Sequence, residues 1–199
     1  YNATAFLALT QVPQGVLAAQ ARLAATFGDP PLSQINDPAA LTVKQRLYWW
    51  TRAELALHAG DCATAQQIVE GLITAAECMA TARATVVARL WLLRGRIELA
   101  CDQPERAFIT LERAYQLADQ QGARTLRWRI DALLGQIYAR RQAHTQAEQH
   151  FTAARHLIET LAATLDDAPT RTRFVTYALT HLPTSPAVTP LRAAKVAFD

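Results

Sequence analysis

The sequence predicts an all-α protein built from paired helices, and three observations lead to that prediction. Apolar residues recur at intervals of three and four along nearly the whole chain, which is the period of a helix with one buried face. The alternation of β-branched residues that marks a strand is absent. Gly and Pro fall between the periodic segments, where helices start and stop. With 199 residues, of which 51% are hydrophobic, the chain can bury a sizeable core.

Turn residues divide the periodic pattern into nine predicted helices. In chain order these cover residues 1–11, 13–27, 43–59, 61–78, 83–100, 104–120, 124–141, 145–165 and 170–182. Three of the breaks carry clear turn chemistry. They are Gly60-Asp61, the run Asp102-Gln103 before Pro104, which can start a helix, and Gly122, which can take a left-handed cap. The segment 28–42, which is rich in Pro, is predicted to be a loop.

An internal repeat explains how the helices are paired. Ala65, Ala107 and Ala147 are separated by 42 and 40 residues, and other positions then fall into register. The matching sets are Ala53, Gly95 and Gly135 twelve residues before; Trp49, Trp91 and Asp131 sixteen before; Val69, Leu111 and Phe151 four after; and Leu72, Ala114 and Ala154 seven after. Small residues allow two antiparallel helices to approach closely, while the larger ones fill the space beside them.

The third unit resembles the tetratricopeptide repeat. The residues that carry this resemblance are Leu134-Gly135, Tyr138, Ala147, Phe151 and Ala154. It implies a right-handed superhelix, or α-solenoid, of antiparallel helix pairs. Asp131 departs from the pattern by replacing an aromatic residue, and the second unit has Arg94 and Glu98 where Leu and Tyr are usual. The units also exceed the family's length of about 34 residues, so longer helices are expected.

The repeats give a simple domain organisation. Residues 1–166 form the predicted repeat domain, with a degenerate pair at 1–27. Complete units lie near 43–78, 83–120 and 124–165. Residues 167–182 are predicted to form a capping helix, with Phe174, Ala178, Leu179 and Leu182 on one stripe. Residues 183–199 are predicted to be a linker towards a further domain, and the chain, whose only methionine is Met79, is expected to be an excised piece of a longer one.

The C-terminal part of the chain carries a second resemblance. The run from Gly122 to Ala162, the helix around Phe174 and the ending LRAAKVAFD are similar to the last repeats of large bacterial LuxR-type, ATPase-linked transcriptional regulators. This resemblance implies a cytoplasmic effector-sensing or protein-interaction domain that couples binding to adjoining ATPase and DNA-binding modules. The alternative is a general protein-protein interaction scaffold of another bacterial signalling protein.

Catalytic and cofactor signatures are missing from the sequence. Ser33 and Ser185 are the only serines, and neither lies in a Gly-x-Ser-x-Gly turn; no Gly-rich phosphate loop occurs. The five histidines, His58, His144, His150, His156 and His181, show no metal-binding spacing and are expected to be solvated. The sequence therefore predicts no enzyme, no metal and no cofactor.

The cysteines and the apolar runs bear on the compartment. Cys62, Cys78 and Cys101 are odd in number and scattered, so no disulfide framework or zinc site is predicted, and a reducing cytoplasm suits them. No apolar run approaches the ~18 residues that cross a bilayer.

The predicted binding surface follows from the tetratricopeptide resemblance, whose members bind partners on the inner, first-helix face. The matching positions are Trp50, Glu54 and His58 in the first unit, Arg89, Leu92 and Arg96 in the second, and Arg129, Ala132, Gln136 and Arg140 in the third. This cationic surface suits an acidic peptide, a phosphate or carboxylate ligand, or a sugar stacked on Trp50. Arg124, Arg127, Arg129, Arg140 and Arg141 also cluster. Their helix must bury its apolar side, however, so direct nucleic-acid contact is not expected.

Overall fold

The computed structural model describes residues 15–37, 41–78 and 84–183, and within these ranges the chain is all-α with no strand. The eight α-helices are α1 (Val16–Phe27), α2 (Val43–Ala59), α3 (Cys62–Cys78), α4 (Ala84–Ala100), α5 (Pro104–Gln120), α6 (Arg124–Arg140), α7 (His144–Ala163) and α8 (Ala168–Leu179). A short 3-10 helix, Leu32–Asn36, interrupts the predicted loop and packs on α3. The predicted helix 1–11 and nearly all of the predicted linker 183–199 lie outside the described residues.

Each helix from α1 to α8 packs against the next one along the chain, and α4 also packs against α6. The observed bounds differ from the predicted ones by at most three residues. No helix among the described residues is long and apolar enough to cross a membrane.

One type of turn closes four of the helices. Gly60, Asp102, Gly122 and Gln142 all have positive φ angles, between 56° and 76°. In each turn the following backbone N–H donates to the carbonyl five residues earlier, as Asp61 does to Ala56 at 2.9 Å and Ala143 does to Tyr138 at 2.9 Å. Because these turns are so short, the helices that they join must run antiparallel. The turn at Gln142 lies in the predicted gap between residues 141 and 145, although Gln itself carries no turn signal.

Glycines set the distance between paired helices, as the repeat pattern predicts. A Cβ on Gly95 would lie 2.6 Å from Leu111 Cδ2, and a Cβ on Gly135 would lie 2.5 Å from Phe151 Cε1. These separations are too short for two carbon atoms, so the large side chain of α5 or α7 rests directly on the backbone of its partner helix. In the first unit the equivalent residues are Ala53 and Val69, both fully buried. In that unit Ala53 is larger than the glycine of the other two units, and Val69 is smaller than Leu111 or Phe151.

The core forms three adjoining clusters, centred on α1–α4, α4–α6 and α6–α8. Trp49 fills the first and Trp128 the third, each almost completely buried. Asp131, which replaces the expected aromatic residue of the third unit, is also buried, and its carboxylate lies 2.9 Å from His150 Nδ1. The His150 ring stacks on Tyr138. The prediction that His150 is solvated was therefore wrong.

The prediction that the cysteines are unpaired was also wrong. Cys62 and Cys101 form a disulfide, and only Cys78 is free among the three. Cys62 begins α3 and Cys101 follows the last residue of α4, so the bond joins the ends of two successive helix pairs. The sequence could not show this pairing, because the partners are 39 positions apart and their proximity depends on how α3 and α4 pack.

The last helix, α8, begins where Asp167 accepts a hydrogen bond from the backbone N–H of Thr170 at 2.8 Å. It packs on α7, and Phe174 contacts Trp128 of α6 edge to face. Ala178 and Leu182 are buried, in agreement with the predicted stripe, but Leu179 is 47% exposed. Leu179 does not belong to the stripe, because α8 ends there and the following turn redirects the chain.

Replacing Gly135 by Ala should lower the free energy of unfolding by about 1–3 kcal/mol, because Phe151 must move away from the new methyl group. An unhindered Gly→Ala change inside a helix would instead stabilise it by up to about 1 kcal/mol. The measurement is urea unfolding of Gly135→Ala, Phe151→Val and the double variant, which reproduces the Ala53 and Val69 combination of the first unit. We expect the cost of Gly135→Ala to fall by at least about 1 kcal/mol in the Phe151→Val background. Strictly additive costs would contradict the close-contact explanation.

Replacing Cys101 by Ser should lower the free energy of unfolding by about 2–4 kcal/mol, because the disulfide restricts the unfolded chain between positions 39 residues apart. Cys78→Ser is the matched control; this exposed thiol should change stability by less than about 0.5 kcal/mol. Both variants and the wild type are unfolded in urea with and without reductant. The wild type should lose its advantage over Cys101→Ser when reductant is present. Equal stability under oxidising conditions would show that the bond does not contribute.

Candidate binding site

A cavity of about 460 Å³, hereafter the central cavity, is lined by α2, α4, α6 and α8 and opens to solvent. These helices alternate along the chain with α3, α5 and α7, so the first helix of each pair supplies the lining. The lining residues are Trp50, Glu54, Arg89, Leu92, Leu93, Arg96, Leu126, Trp128, Arg129, Ala132, Leu133, Gln136, Tyr177 and His181.

The structure brings together most of the residues predicted for the inner surface. Trp50 and Glu54 lie on α2; Arg89, Leu92 and Arg96 on α4; and Arg129, Ala132 and Gln136 on α6. His58 and Arg140 do not line the central cavity. Each lies one helical turn beyond the last lining residue of its helix and is exposed. The transferred positions therefore extend too far towards the helix ends.

Charge in the central cavity is unbalanced. Three guanidinium groups, those of Arg89, Arg96 and Arg129, share the lining with the single carboxylate of Glu54. Glu54 is nearly buried, and its Oε1 accepts a hydrogen bond from Arg96 Nη1 at 2.6 Å. Within the part of the chain that the structure describes, neither Arg89 nor Arg129 has a carboxylate within 4.0 Å. The lining thus carries two positive charges in excess.

Arg129 shows the effect of this imbalance. Its guanidinium carbon lies 5.2 Å from the centre of the Trp128 ring, and part of its side chain still reaches solvent. Burial lowers the pKa of Arg129, and repulsion from Arg96 and Arg89 lowers it further, while Tyr177 and Glu54 act in the opposite direction. An arginine remains protonated under all these influences. The like charges of Arg89, Arg96 and Arg129 therefore remain close together in the central cavity.

Tyr177 and His181 form the wall contributed by the C-terminal part of the described chain. The His181 ring centre lies 4.9 Å from that of Tyr177 and 6.1 Å from that of Trp128. The backbone carbonyl of His181 accepts a hydrogen bond from Gln136 Nε2 at 3.1 Å, which fixes the turn against α6. His181 was predicted to be solvated, and the residue is exposed, while its ring also lies beside those of Tyr177 and Trp128.

Burial lowers the pKa of the His181 imidazole below its usual value of 6.5, and the cations Arg129 and Arg96 lower it further. The lowered pKa favours the neutral imidazole at pH 7. Sequence reasoning missed six lining residues, namely Leu93, Leu126, Trp128, Leu133, Tyr177 and His181. The apolar stripe of the last helix predicted that this helix covers the end of the repeats. The stripe did not show that Tyr177 and His181, which flank it, line the central cavity.

Two arginines of the basic cluster along α6 have partners outside the central cavity. Arg127 donates to Asp119 and Tyr115, and Arg141 donates to Glu105 and lies over Phe108. These pairs account for part of the basic cluster that the sequence shows. Among the described residues, no three His, Cys, Asp or Glu side chains are placed to hold a metal ion.

Comparisons of the chain with protein-family models, with curated proteins and with solved structures gave no significant match.

Removing the Arg96 side chain should lower the free energy of unfolding by about 1–3 kcal/mol, because Glu54 would remain nearly buried without its guanidinium partner. Arg89→Ala is the matched control, since Arg89 is exposed and has no carboxylate partner; its effect should stay within about 0.5 kcal/mol. Adding Glu54→Gln to Arg96→Ala should recover part of the loss. The explanation fails if urea unfolding shows Arg96→Ala to be as stable as Arg89→Ala.

Proposed function

We propose that this chain is a non-catalytic repeat domain whose central cavity binds an anionic effector or the acidic part of a partner. The observation that carries the proposal is the convergence of Arg89 and Arg129, which have no carboxylate partners, on a cavity whose single acid is already bonded to Arg96. Unpaired like charges held together are unfavourable, and an anion relieves that cost. Arginine in particular recognises carboxylate and phosphate groups with two parallel hydrogen bonds.

The architecture that we propose is a right-handed, tetratricopeptide-like α-solenoid. Its support is the repeated pairing of antiparallel helices, the recurrent close contact at Gly95 and Gly135, and the packing of α4 on α6 across the intervening α5. In such an array the first helices of successive pairs lie side by side and form an inner surface. The lining of the central cavity by α2, α4 and α6 is the arrangement expected of that surface.

We further propose that binding is coupled to neighbouring modules through α8. Tyr177 and His181 belong to α8 and the turn after it, so an occupant of the central cavity contacts the same element from which the chain continues. An occupant that favours one position of α8 would shift the arrangement of whatever follows. This behaviour suits the effector-sensing domain of a LuxR-type transcriptional regulator, a bacterial cytoplasmic protein with adjoining ATPase and DNA-binding modules.

The regulator context has its own test, independent of the central cavity. We expect sequencing of about 70 codons of the parent gene after Asp199 to reveal a helix-turn-helix with a basic recognition helix, because a module of this kind fits within that length. More repeats in that position would instead favour a general protein-interaction scaffold.

Replacing both Arg89 and Arg129 by Ala should weaken binding of an anion by about tenfold or more, because each charge-assisted hydrogen bond contributes on the order of 1.5–3 kcal/mol. Thermal-shift screening of simple carboxylates and phosphates supplies the probe, and calorimetry then measures its affinity. Arg106→Ala with Arg113→Ala removes the same charge from α5, outside the central cavity, and should leave the affinity within about twofold. Equal weakening in both double variants would indicate net charge rather than this site, and unchanged affinity in the first would reject it.

A further inference from the structure

Each helix that lines the central cavity contributes charged or titratable side chains, directly or from the turn that follows it. These groups are Glu54 of α2, Arg89 and Arg96 of α4, Arg129 of α6, Tyr177 of α8 and His181 just after it. Arg129 feels the charge of Glu54 two pairs of helices away, and His181 feels that of Arg96. A ligand in the central cavity would therefore lie near charged or titratable groups from all four of these helices.

The size of the central cavity suits a small molecule. Its volume of about 460 Å³ lies within the range of about 300–1,000 Å³ that is typical of small-molecule sites. Arg89, Arg129 and Tyr177 on its lining are exposed, so the central cavity opens to solvent and a small ligand can reach its charged groups directly.

The charge imbalance indicates the valence of the ligand. Glu54 already neutralises one guanidinium through its bond with Arg96, which leaves two positive charges. A monoanion would leave one of these uncompensated, whereas a dianion would balance both. The walls are otherwise apolar or aromatic, with Leu92, Leu133 and Trp50 among the lining residues, so a planar carbon skeleton can be accommodated beside the charged groups.

We propose that the effector is a small dianion, and that His181 takes up a proton when this dianion enters the central cavity. This inference rests on the proposed function and names the ligand class and the proton dependence of the same site. The geometry supporting it is the position of the imidazole at the cavity wall, fixed by Gln136 and by the aromatic contacts with Tyr177 and Trp128, beside two guanidinium groups.

The sign of the effect follows from the groups that face His181. Burial and, to a smaller extent, the positive charges of Arg129 and Arg96 hold the pKa of His181 below 6.5. A dianion among the arginines cancels their field and attracts the imidazolium directly, so the pKa of His181 rises on binding. Binding therefore takes up a proton between the free and bound pKa values. Affinity increases as the pH falls through that window, by at most about tenfold per pH unit for one proton, and levels off below the free pKa.

The test uses benzene-1,3-disulfonate, a planar dianion that stays fully ionised between pH 5.5 and 8, and benzenesulfonate as the matching monoanion. Calorimetry on the full 199-residue chain in two buffers of different ionisation enthalpy measures the protons taken up per ligand bound. We expect the dianion to bind more tightly than the monoanion, with proton uptake and an affinity gain of about tenfold from pH 8 to pH 6. His181→Gln should gain less than about twofold in affinity between pH 8 and pH 6, whatever its affinity at pH 8. The exposed His144 provides the control variant His144→Gln, which should keep the pH dependence of the wild type.

The outcomes separate this inference from the proposed function. Suppose that the wild type binds the dianion without proton uptake and that Arg89→Ala with Arg129→Ala abolishes this binding. That result would overturn the role of His181 and leave the anion site standing. The same pH dependence in His181→Gln as in the wild type would also overturn it. Tighter binding of the monoanion would overturn the valence. If neither sulfonate binds at any pH, both the dianion site and the anion-binding function on which it rests are rejected.

Discussion

The distance between the two helices of each pair is the constraint on which the rest of this structure depends. Gly95 and Gly135 have no side chain, so Leu111 and Phe151 contact the backbone of the facing helix directly. The two helices of each of these pairs therefore pack closely. Close packing makes the dispersion contacts dense and fixes the helices relative to each other. Because the turns between helices are short, the two helices of each pair are held close together. Neighbouring pairs then contact each other through the helix faces that are not used within a pair.

The central cavity is a consequence of that stacking. When pairs stack with their first helices on one side, residues from α2, α4 and α6 face a common space. Part of the lining belongs to the core clusters as well, namely Leu92, Leu93, Leu126, Trp128 and Ala132. Arg89 and Arg129, in contrast, are exposed and lie outside these clusters. This leaves α4 and α6 able to carry arginines whose charges are unfavourable to one another, as is common where a site is prepared for a ligand.

Two long-range contacts tie the array together at its junctions. The disulfide between Cys62 and Cys101 joins the start of α3 to the end of α4, and α8 covers Trp128 and the end of the third unit. The buried pair of Asp131 and His150 joins α6 to α7 within the third unit, where Asp131 stands in place of the Trp of the first two units. A carboxylate in that position is tolerated because His150 and Arg127 lie close to it on two different helices.

Local signals in the sequence determined the helices, their pairing and most of the residues on the inner face. Periodicity of three and four, the Gly and Pro breaks and the recurrent small and large positions are properties of neighbouring residues, so they can be read without knowing the tertiary structure. The repeated small residues, Gly135 among them, sufficed to predict a close approach of the paired helices. Eight of the twelve lining positions on α2, α4 and α6 were among those transferred from the tetratricopeptide resemblance.

Only the tertiary structure decided which distant groups meet. The partners of Cys62, Asp131 and Gln136 are separated from them by many residues, and their proximity depends on the rotation and offset of helices that pack on each other. The position of His181 likewise depends on how α8 turns over α6, which no pattern within α8 specifies. A helical period shows which face is buried, but the angle and distance at which two such faces pack are set by the side chains of both. For that reason the sequence placed the arginines on one surface, and the folded chain placed a histidine among them.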